Sequence, residues 1–176
     1  NDCSTDKTRE EAIALQIPIT LIDHTNNKGY GAAIKTGMVK AAFETIVITD
    51  ADSTYPNRSI PALVSVAENE DLDMVVGARV GKNVKIPLIR RPAKWVITKL
   101  ANYLSGTKIP DLNSGLRVMK KSVVNKFANI LPNGFSFTTT ITLAMLTNNH
   151  SVKYIPIDYF KRKGKSKIRP IKDTLN

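Results

Sequence analysis

Two carboxylates separated by one residue, Asp50 and Asp52, are the part of the sequence best suited to do chemistry. They follow an apolar and β-branched run at residues 46–49 and precede a Tyr-Pro pair at residues 55–56. This pattern predicts a buried strand that delivers two acids at its carboxyl end. Carboxylates at such a strand end can bind a divalent metal ion, which in turn binds phosphate. An alternative, in which they only cap the following turn, stays open at this point.

Asp111 is a second candidate, because it is the only acidic residue between Asp73 and Asp158. Residues 1–73 contain 12 acidic and 6 basic residues, whereas residues 74–176 contain 3 acidic and 20 basic residues. The two halves therefore carry net charges of −6 and +17. This asymmetry indicates an anionic partner for the second half, whether nucleic acid, anionic lipid or a phosphorylated substrate. A single carboxylate in such basic surroundings is a candidate for chemistry.

The strongly basic segment 161–172, KRKGKSKIRPIK, is a third candidate. A segment of this composition is usually a solvated tail. Its glycine and serine also suit a flexible loop that folds over phosphates, where arginine and lysine make charge-assisted hydrogen bonds.

Alternating helices and short apolar strands would position these residues. The pattern predicts strands at residues 17–22, 46–49, 74–76 and 152–159. It predicts helices at residues 5–15, 32–43, 59–69, 92–104 and 118–130, and a last helix within 133–146 after an initial turn. This alternation indicates a single α/β domain with a mostly parallel central sheet flanked by helices.

The composition is that of a globular domain, with 42% apolar and 23% charged residues among 176. Its single cysteine, Cys3, excludes an internal disulfide and fits a reducing compartment. No apolar run is long enough to span a membrane. The helix predicted over 92–104 places Trp95 and Tyr103 near one apolar side, which is typical of a surface helix packed on its domain. The sharper hypothesis is an amphipathic helix that rests on a membrane.

Several short segments occur in the order that is typical of one known family. They are NDCSTDKT at residues 1–8, N-x-G-x-G-A-A at 27–33, D-A-D at 50–52, G-A-R at 77–79, D-x-x-S-G-L-R at 111–117 and R-x-G-x-S-K at 162–167. This ordered set resembles the family-two glycosyltransferases of the GT-A fold, and among them the polyprenyl-phosphate sugar transferases. The resemblance covers nearly the whole chain.

The resemblance implies inverting transfer of a hexose from a nucleotide-diphosphate sugar to a polyprenyl phosphate, dolichyl or undecaprenyl, at the cytoplasmic membrane face. It implies a Mg²⁺ or Mn²⁺ cofactor bound by Asp50 and Asp52. The residues implied at the nucleotide are Asp2, Asn27, Gly29 and Asp50. Those implied at the phosphates are Arg79, Arg117, Arg162, Ser166 and Lys167. The catalytic residues that it implies are Asp52, Asp111 and Arg117.

Asp111 is expected to orient an arginine or the acceptor, since a phosphate acceptor is already ionised and needs no base. Residues 1–79 would form the nucleotide-binding half of the domain, and residues 80–176 the basic acceptor-side half. Partners would be the sugar nucleotide, the lipid phosphate and a membrane surface, with no nucleic acid.

The sequence departs from the family pattern in two places. The family's first strand, which ends in Pro-x-x-Asn-Glu, has no counterpart, so we expect this chain to be a core fragment with that strand and any membrane anchor outside it. Thr54 stands where close relatives often carry a glutamine that binds the metal. Whether Thr54 contacts the metal is open from the sequence.

Three other functions are alternatives to this one. Residues 46–54 also fit the hhhhDxDxT signature of haloacid-dehalogenase phosphatases, in which Asp50 would be a nucleophile. Such enzymes need a later acidic pair, and residues 74–176 offer only isolated acids. A basic, aromatic nucleic-acid surface is possible on charge alone but has no recognition motif. Polysaccharide synthases share the fold but are expected to carry Gln-x-x-Arg-Trp, which is missing here.

Overall fold

The structure, a computed structural model, describes residues 1–80 and 91–161, except for the side chains of residues 91–97. Its helices are α1 (Thr8–Ala14), α2 (Tyr30–Lys40), α3 (Ile60–Asn69), α4 (Arg91–Ser105), α5 (Lys121–Lys126) and α6 (Phe137–Thr147). A short 3₁₀ turn, Asn57–Ser59, leads into α3. The strands are β1 (Thr45–Ile48), β2 (Met74–Ala78), β3 (Arg117–Lys120) and β4 (Val152–Pro156).

The four strands form one mixed sheet in the order β1-β3-β2-β4. β2 and β4 are parallel, and β3 is antiparallel to both of its neighbours, β1 and β2. Three strands therefore run in one direction, and β3 runs against them. As a result, the carboxyl ends of β1, β2 and β4 share one edge of the sheet with the amino end of β3. The predicted α/β class is confirmed, and the described sheet is mixed, because two of its three strand pairings are antiparallel.

Two predicted elements are wrong. Residues 118–120 were expected to begin a helix, but they belong to β3, and the helix that follows covers only Lys121–Lys126. Residues 17–22 were expected to form a strand, but they join no strand of the described sheet. Their end hydrogen-bonds instead to the start of the chain, where the Asn1 nitrogen donates to the Ile22 oxygen at 2.8 Å and the His24 nitrogen donates to the Asn1 oxygen at 3.0 Å.

Helices cover both faces of the sheet, because successive residues of a strand point to opposite sides. Met74 and Val76 of β2 pack into one cluster with side chains of α2, α5 and α6, whereas Val75 packs into the other with Leu63 and Ala67 of α3. All five residues of β2 are buried, as expected for a central strand covered on both faces. This buried strand supports the loops at its carboxyl end.

A third, smaller cluster holds α4 against the domain through Ala101, Ile109 and Leu112. Asn102 also accepts a hydrogen bond from the Ile109 nitrogen at 2.9 Å. Among the described residues, none of the helices combines the length and apolar character needed to cross a bilayer.

Candidate active site

The candidate site lies at the edge of the sheet where β1, β2 and β4 end. Asp50 follows β1 by two residues, and Arg79 directly follows β2. The segment that leads into β3, residues 111–116, crosses the same edge. The reversed direction of β3 thus brings two distant motifs of the sequence together.

Asp52 is held by a tight local turn. Its Oδ1 accepts hydrogen bonds from the backbone nitrogen of Thr54 at 3.1 Å and from the Thr54 hydroxyl at 2.5 Å. Thr54 is fully buried, and Ser53 between them has a φ of 60°. The turn-capping interpretation therefore describes one of the contacts of Asp52. The Thr54 hydroxyl donates to Asp52, which orients the carboxylate.

Asp50 packs directly against the loop before β3. A Cβ atom placed on Gly115 would lie 2.9 Å from both carboxylate oxygens of Asp50, so only glycine fits there without moving the carboxylate. Tyr30, at the start of α2, lies close enough to Asp50 for the two side chains to interact. Burial, reinforced by the charge of Asp50, raises the pKa of Tyr30. Asp50 is therefore confined between α2 and the Gly115 loop.

The Gly115 loop is fastened to both β2 and the turn after Asp52. The Gly115 nitrogen donates to the Tyr55 hydroxyl at 2.6 Å, and Tyr55 is 4% exposed. The Ser114 hydroxyl donates to the Gly77 oxygen at 2.5 Å, and the Gly77 nitrogen donates to the Leu116 oxygen at 3.0 Å. These buried hydrogen bonds hold the loop in one position relative to Asp50.

Arg79 and Asp111 form a two-pronged ion pair at this edge. Arg79 Nε lies 2.7 Å from Oδ2 of Asp111, and Nη2 lies 2.9 Å from Oδ1. The Arg79 backbone nitrogen also donates to Oδ2 at 3.0 Å. Burial alone would lower the pKa of Arg79, but the hydrogen bonds and charge of Asp111 raise it overall. The guanidinium carbon also lies 5.1 Å from the centre of the Tyr159 ring.

This geometry supports the expected role of Asp111 as an organiser of an arginine. Its side chain is 1% exposed and that of Arg79 is 18% exposed, so the arginine faces the surface and the carboxylate lies beneath it. Both oxygens of Asp111 accept hydrogen bonds from Arg79.

Arg117 occupies a different environment from the expected one. Its side chain is fully buried, and it donates to the oxygens of Ser114 at 2.7 Å and Leu112 at 2.8 Å, and to the Thr142 hydroxyl at 2.6 Å. Burial lowers the pKa of Arg117. The structure does not support the expectation that Arg117 contacts phosphate, because its donors bond to the loop before β3 and to Thr142 of α6. Arg117 therefore stabilises the loop that packs against Asp50.

The residues expected at the nucleotide also come together. Asp2 Oδ1 accepts from the Lys28 nitrogen at 2.9 Å, and Oδ2 accepts from the Gly29 nitrogen at 2.8 Å. The Asn27 side chain donates to the Asp2 backbone oxygen at 3.1 Å. Burial acts to raise the pKa of Asp2, but these amides and His24 lower it overall. Asp2 therefore holds the 27–29 loop in addition to any contact with a nucleotide.

Gly29 has a conformation and a position that glycine alone tolerates. Its φ is 102°, and a Cβ there would lie 2.5 Å from the Asn133 oxygen. A Cβ on Gly31 would lie 2.2 Å from the Pro132 oxygen. The glycines at positions 29 and 31 thus allow close backbone contact with residues 132–134.

Three expected phosphate-binding residues, Arg162, Ser166 and Lys167, lie outside the described residues. The sequence patterns did not identify Tyr30 and Tyr159 as parts of the site. Tyr30 stands between two glycines of a recognised motif, and that position was the available signal. Tyr159 carries no local signal, because its role depends on Arg79 and Tyr55, which are distant in sequence.

A divalent metal fits the donor chemistry of this edge. Within residues 1–80 and 91–161, the acidic, histidine and cysteine side chains form no cluster of three that could hold a metal by themselves. Asp50 and Asp52 supply carboxylate oxygens, which Mg²⁺ and Mn²⁺ prefer. Mg²⁺ is commonly held by one or two carboxylates, with its other ligands from water and substrate phosphates. A pair of carboxylates is therefore adequate for a metal that arrives with a nucleotide diphosphate.

Residues 1–127 match the family model described as Glycosyl transferase family 2. The chain belongs to this family. It is a glycosyltransferase, and the predicted resemblance is confirmed. The phosphatase alternative is thereby wrong.

Curated relatives include proteins named as lipid-phosphate sugar transferases. The chain is 28% identical over 170 residues to a dolichyl-phosphate hexose transferase of Haloferax volcanii, which covers 96% of the chain and 72% of that protein. It is 30% identical over 135 residues to a dodecaprenyl-phosphate galacturonate synthase of Rhizobium johnstonii, covering 72% of the chain and 38% of that protein. The chain thus spans only part of the length of each relative.

Solved structures with the same fold include glucosyl-3-phosphoglycerate synthase from Mycobacterium tuberculosis in complex with Mn²⁺, UDP-glucose and phosphoglyceric acid. The TM-score is 0.63 at 17% identity, over 93% of this chain and 59% of that one. At this identity the likeness shows the fold alone, and it confirms the GT-A assignment.

Proposed function

We propose that this chain is the catalytic domain of an enzyme that transfers a hexose from a nucleotide-diphosphate sugar to a polyprenyl phosphate. The observation that carries the proposal is the packing of Asp50 against Gly115, in the same loop whose first residue, Asp111, pairs with Arg79. The names of several relatives support the acceptor class, since they share a polyprenyl phosphate while their sugars differ.

The leaving group of such a reaction is a nucleotide diphosphate, whose developing negative charge must be stabilised. Asp50 and Asp52 would hold Mg²⁺ or Mn²⁺, which supplies positive charge at the diphosphate. Arg79, held in place by Asp111, would present its guanidinium to a phosphate group. Arg162, Ser166 and Lys167 would add further contacts. Asp2, Asn27 and Gly29 would line the nucleotide.

The proposed reaction is a single displacement with inversion. An oxygen of the lipid phosphate attacks the anomeric carbon, and a new carbon–oxygen bond forms as the bond to the diphosphate breaks. The bonding electron pair leaves with the nucleotide diphosphate. Because the acceptor oxygen is already ionised at neutral pH, no protein base is required. Residues 1–79 would form the nucleotide half, and residues 80–176 the acceptor half.

We also propose that α4 meets the cytoplasmic face of the membrane that carries the acceptor. Its exposed side includes Leu100, Tyr103 and Leu104, which are 57%, 84% and 54% exposed. Ala101 of the same helix is 1% exposed and packs on the domain. The segment 80–109 is basic and has no acidic residue, which suits anionic headgroups.

The test uses the full-length protein with a panel of UDP- and GDP-sugars and with dolichyl or undecaprenyl phosphate. We expect one donor to give a lipid-linked sugar, in a reaction that EDTA stops and Mg²⁺ or Mn²⁺ restores. Asp52→Ala should abolish transfer, whereas Asp71→Ala, a matched change of an exposed aspartate at the opposite sheet edge, should not. Full activity of Asp52→Ala would refute the metal assignment. Transfer to a soluble acceptor such as phosphoglycerate, and none to lipid, would refute the acceptor.

A further inference from the structure

A histidine with a buried side chain links the expected nucleotide loop to α2. His24 Nδ1 lies 2.7 Å from Asp2 Oδ1, and Nε2 lies 2.9 Å from the Thr36 hydroxyl oxygen. The His24 side chain is 7% exposed. Both ring nitrogens are therefore engaged, and the imidazole has a fixed position between two elements of the fold.

The partners of His24 define the direction of its hydrogen bonds. An ionised carboxylate only accepts, so Nδ1 carries a proton and donates it to Asp2. The Thr36 hydroxyl can donate or accept, so it fits Nε2 in the neutral or the protonated ring. The hydrogen bond at Nε2 fixes the orientation of the imidazole ring, and so fixes the direction in which Nδ1 donates to Asp2.

Asp2 passes this constraint to the backbone of the 27–29 loop. Its Oδ1 accepts from both His24 and the Lys28 nitrogen, and its Oδ2 accepts from the Gly29 nitrogen. Without the imidazole, the Asp2 side chain would keep only the two amide contacts and could rotate. The loop would then lose the anchor that joins it to Thr36 of α2.

We propose that His24 is a positioning residue for nucleotide binding, which holds Asp2, and through it the Lys28–Gly29 backbone, in the conformation that receives the donor. This inference rests on the proposed function, in which Asp2 and residues 27–29 line the nucleotide. His24 acts before the chemical step, so its loss weakens donor binding more than turnover.

The experiment compares His24→Ala, His24→Asn and Thr36→Val in the full-length protein, with UDP and GDP as calorimetric probes and the active donor for kinetics. Loss of a hydrogen bond to a carboxylate predicts a roughly tenfold or greater rise in nucleotide Kd and donor KM for His24→Ala, with kcat within about threefold of the unsubstituted enzyme. His24→Asn keeps an amide N–H close to the position of Nδ1 and should restore most of the affinity. Thr36→Val should raise Kd by about threefold.

His150 provides a matched control. Its Nδ1 lies 2.9 Å from Asp73 Oδ2, the same kind of contact at the opposite edge of the sheet. His150→Ala should lower the melting temperature without changing Kd. The inference is overturned if His24→Ala binds nucleotide as tightly as His150→Ala, or if His24→Asn is no better than His24→Ala.

Two further outcomes separate this inference from the proposed function. If the unsubstituted protein binds and turns over the donor but the His24 variants show no change, only the role of His24 is wrong. If the unsubstituted protein binds neither nucleotide, both are wrong. Should His24→Ala fail to fold, an unchanged Kd in Thr36→Val overturns the inference, and a raised one supports it.

Discussion

Substitution of Asp111 by asparagine tests whether this residue organises the site or reacts. Asparagine keeps the shape but removes the charge, and its amide group would face Arg79 donors that now lie 2.7 and 2.9 Å from carboxylate oxygens. Asp111 is 2% exposed, so the remaining arginine would lose its buried counter-charge. Breaking such a pair costs about 3–5 kcal/mol, a large part of the roughly 5–15 kcal/mol that stabilises a domain.

Chemical denaturation of the full-length protein, followed by circular dichroism, measures this loss. We expect Asp111→Asn to lower the free energy of unfolding by about 3 kcal/mol or more. Arg79→Met should have a similar effect. The double variant should lose less stability than the sum of the two single losses, by up to about 3 kcal/mol. Glu70→Gln is the matched control, because its pair with Lys153 is exposed and such pairs contribute about 0.2–1 kcal/mol.

The opposite result would identify a chemical role. If Asp111→Asn left the free energy of unfolding within about 0.5 kcal/mol of the original and still abolished turnover, the ion pair would not explain the residue. Asp111 would then act directly on the acceptor. Additive effects in the double variant would likewise contradict the coupling of Asp111 to Arg79.

Three further substitutions have defined outcomes. Tyr55→Phe removes the acceptor of the buried Gly115 nitrogen and should lower the free energy of unfolding by about 1–3 kcal/mol in denaturation experiments. Gly115→Ala should displace the Asp50 carboxylate and reduce transfer activity strongly, with little loss of stability because a side-chain end can move. Burial by itself would raise the pKa of Asp73, but hydrogen bonds from His150 and other donors lower it overall, below the usual 3.8. The stability that the ionised Asp73 contributes is therefore present above pH 3.8 and is lost as the solution becomes more acidic. Asp73→Asn removes this contribution and should flatten acid unfolding curves.

Each of these changes has a contrary outcome, and Gly115→Ala also has a matched control. Gly37→Ala is the matched glycine change, since a Cβ there meets nothing within 4 Å, and it should leave transfer intact. Equal activity in Gly115→Ala and Gly37→Ala would show that the position of Asp50 does not matter. An unchanged unfolding free energy in Tyr55→Phe would contradict the role of its hydroxyl, and an unchanged acid profile in Asp73→Asn would contradict the linkage.

The features that the sequence predicted well are those that depend on local pattern. The apolar run before Asp50 indicated β1, and the acids at its end lie where the pattern placed them. The features it missed depend on contacts between distant residues. Residues 118–120 are too short a run to distinguish strand from helix, and their pairing with both β1 and β2 decides the matter.

The roles of the site residues also separate into those that follow from local pattern and those that depend on contacts between distant residues. Arg117 lies within a motif, which indicated phosphate binding. Its hydrogen bonds to the Thr142 hydroxyl and the Leu112 oxygen depend on the tertiary structure, so the sequence did not show them. The partners of His24 lie 22 and 12 residues away in sequence, so no local pattern identifies it. Residues 17–22 have strand-like composition, yet a strand also needs a neighbour with which to pair.

The most direct test of the proposed function follows the sugar itself. The full-length protein is incubated with a radiolabelled nucleotide sugar, polyprenyl phosphate and Mg²⁺ or Mn²⁺, and label extracted into organic solvent is counted. The proposal predicts organic-phase label that requires both the lipid phosphate and Asp52. Label that appears in the organic phase without added metal in Asp52→Ala, or that stays in a soluble product when lipid phosphate is present, would contradict it.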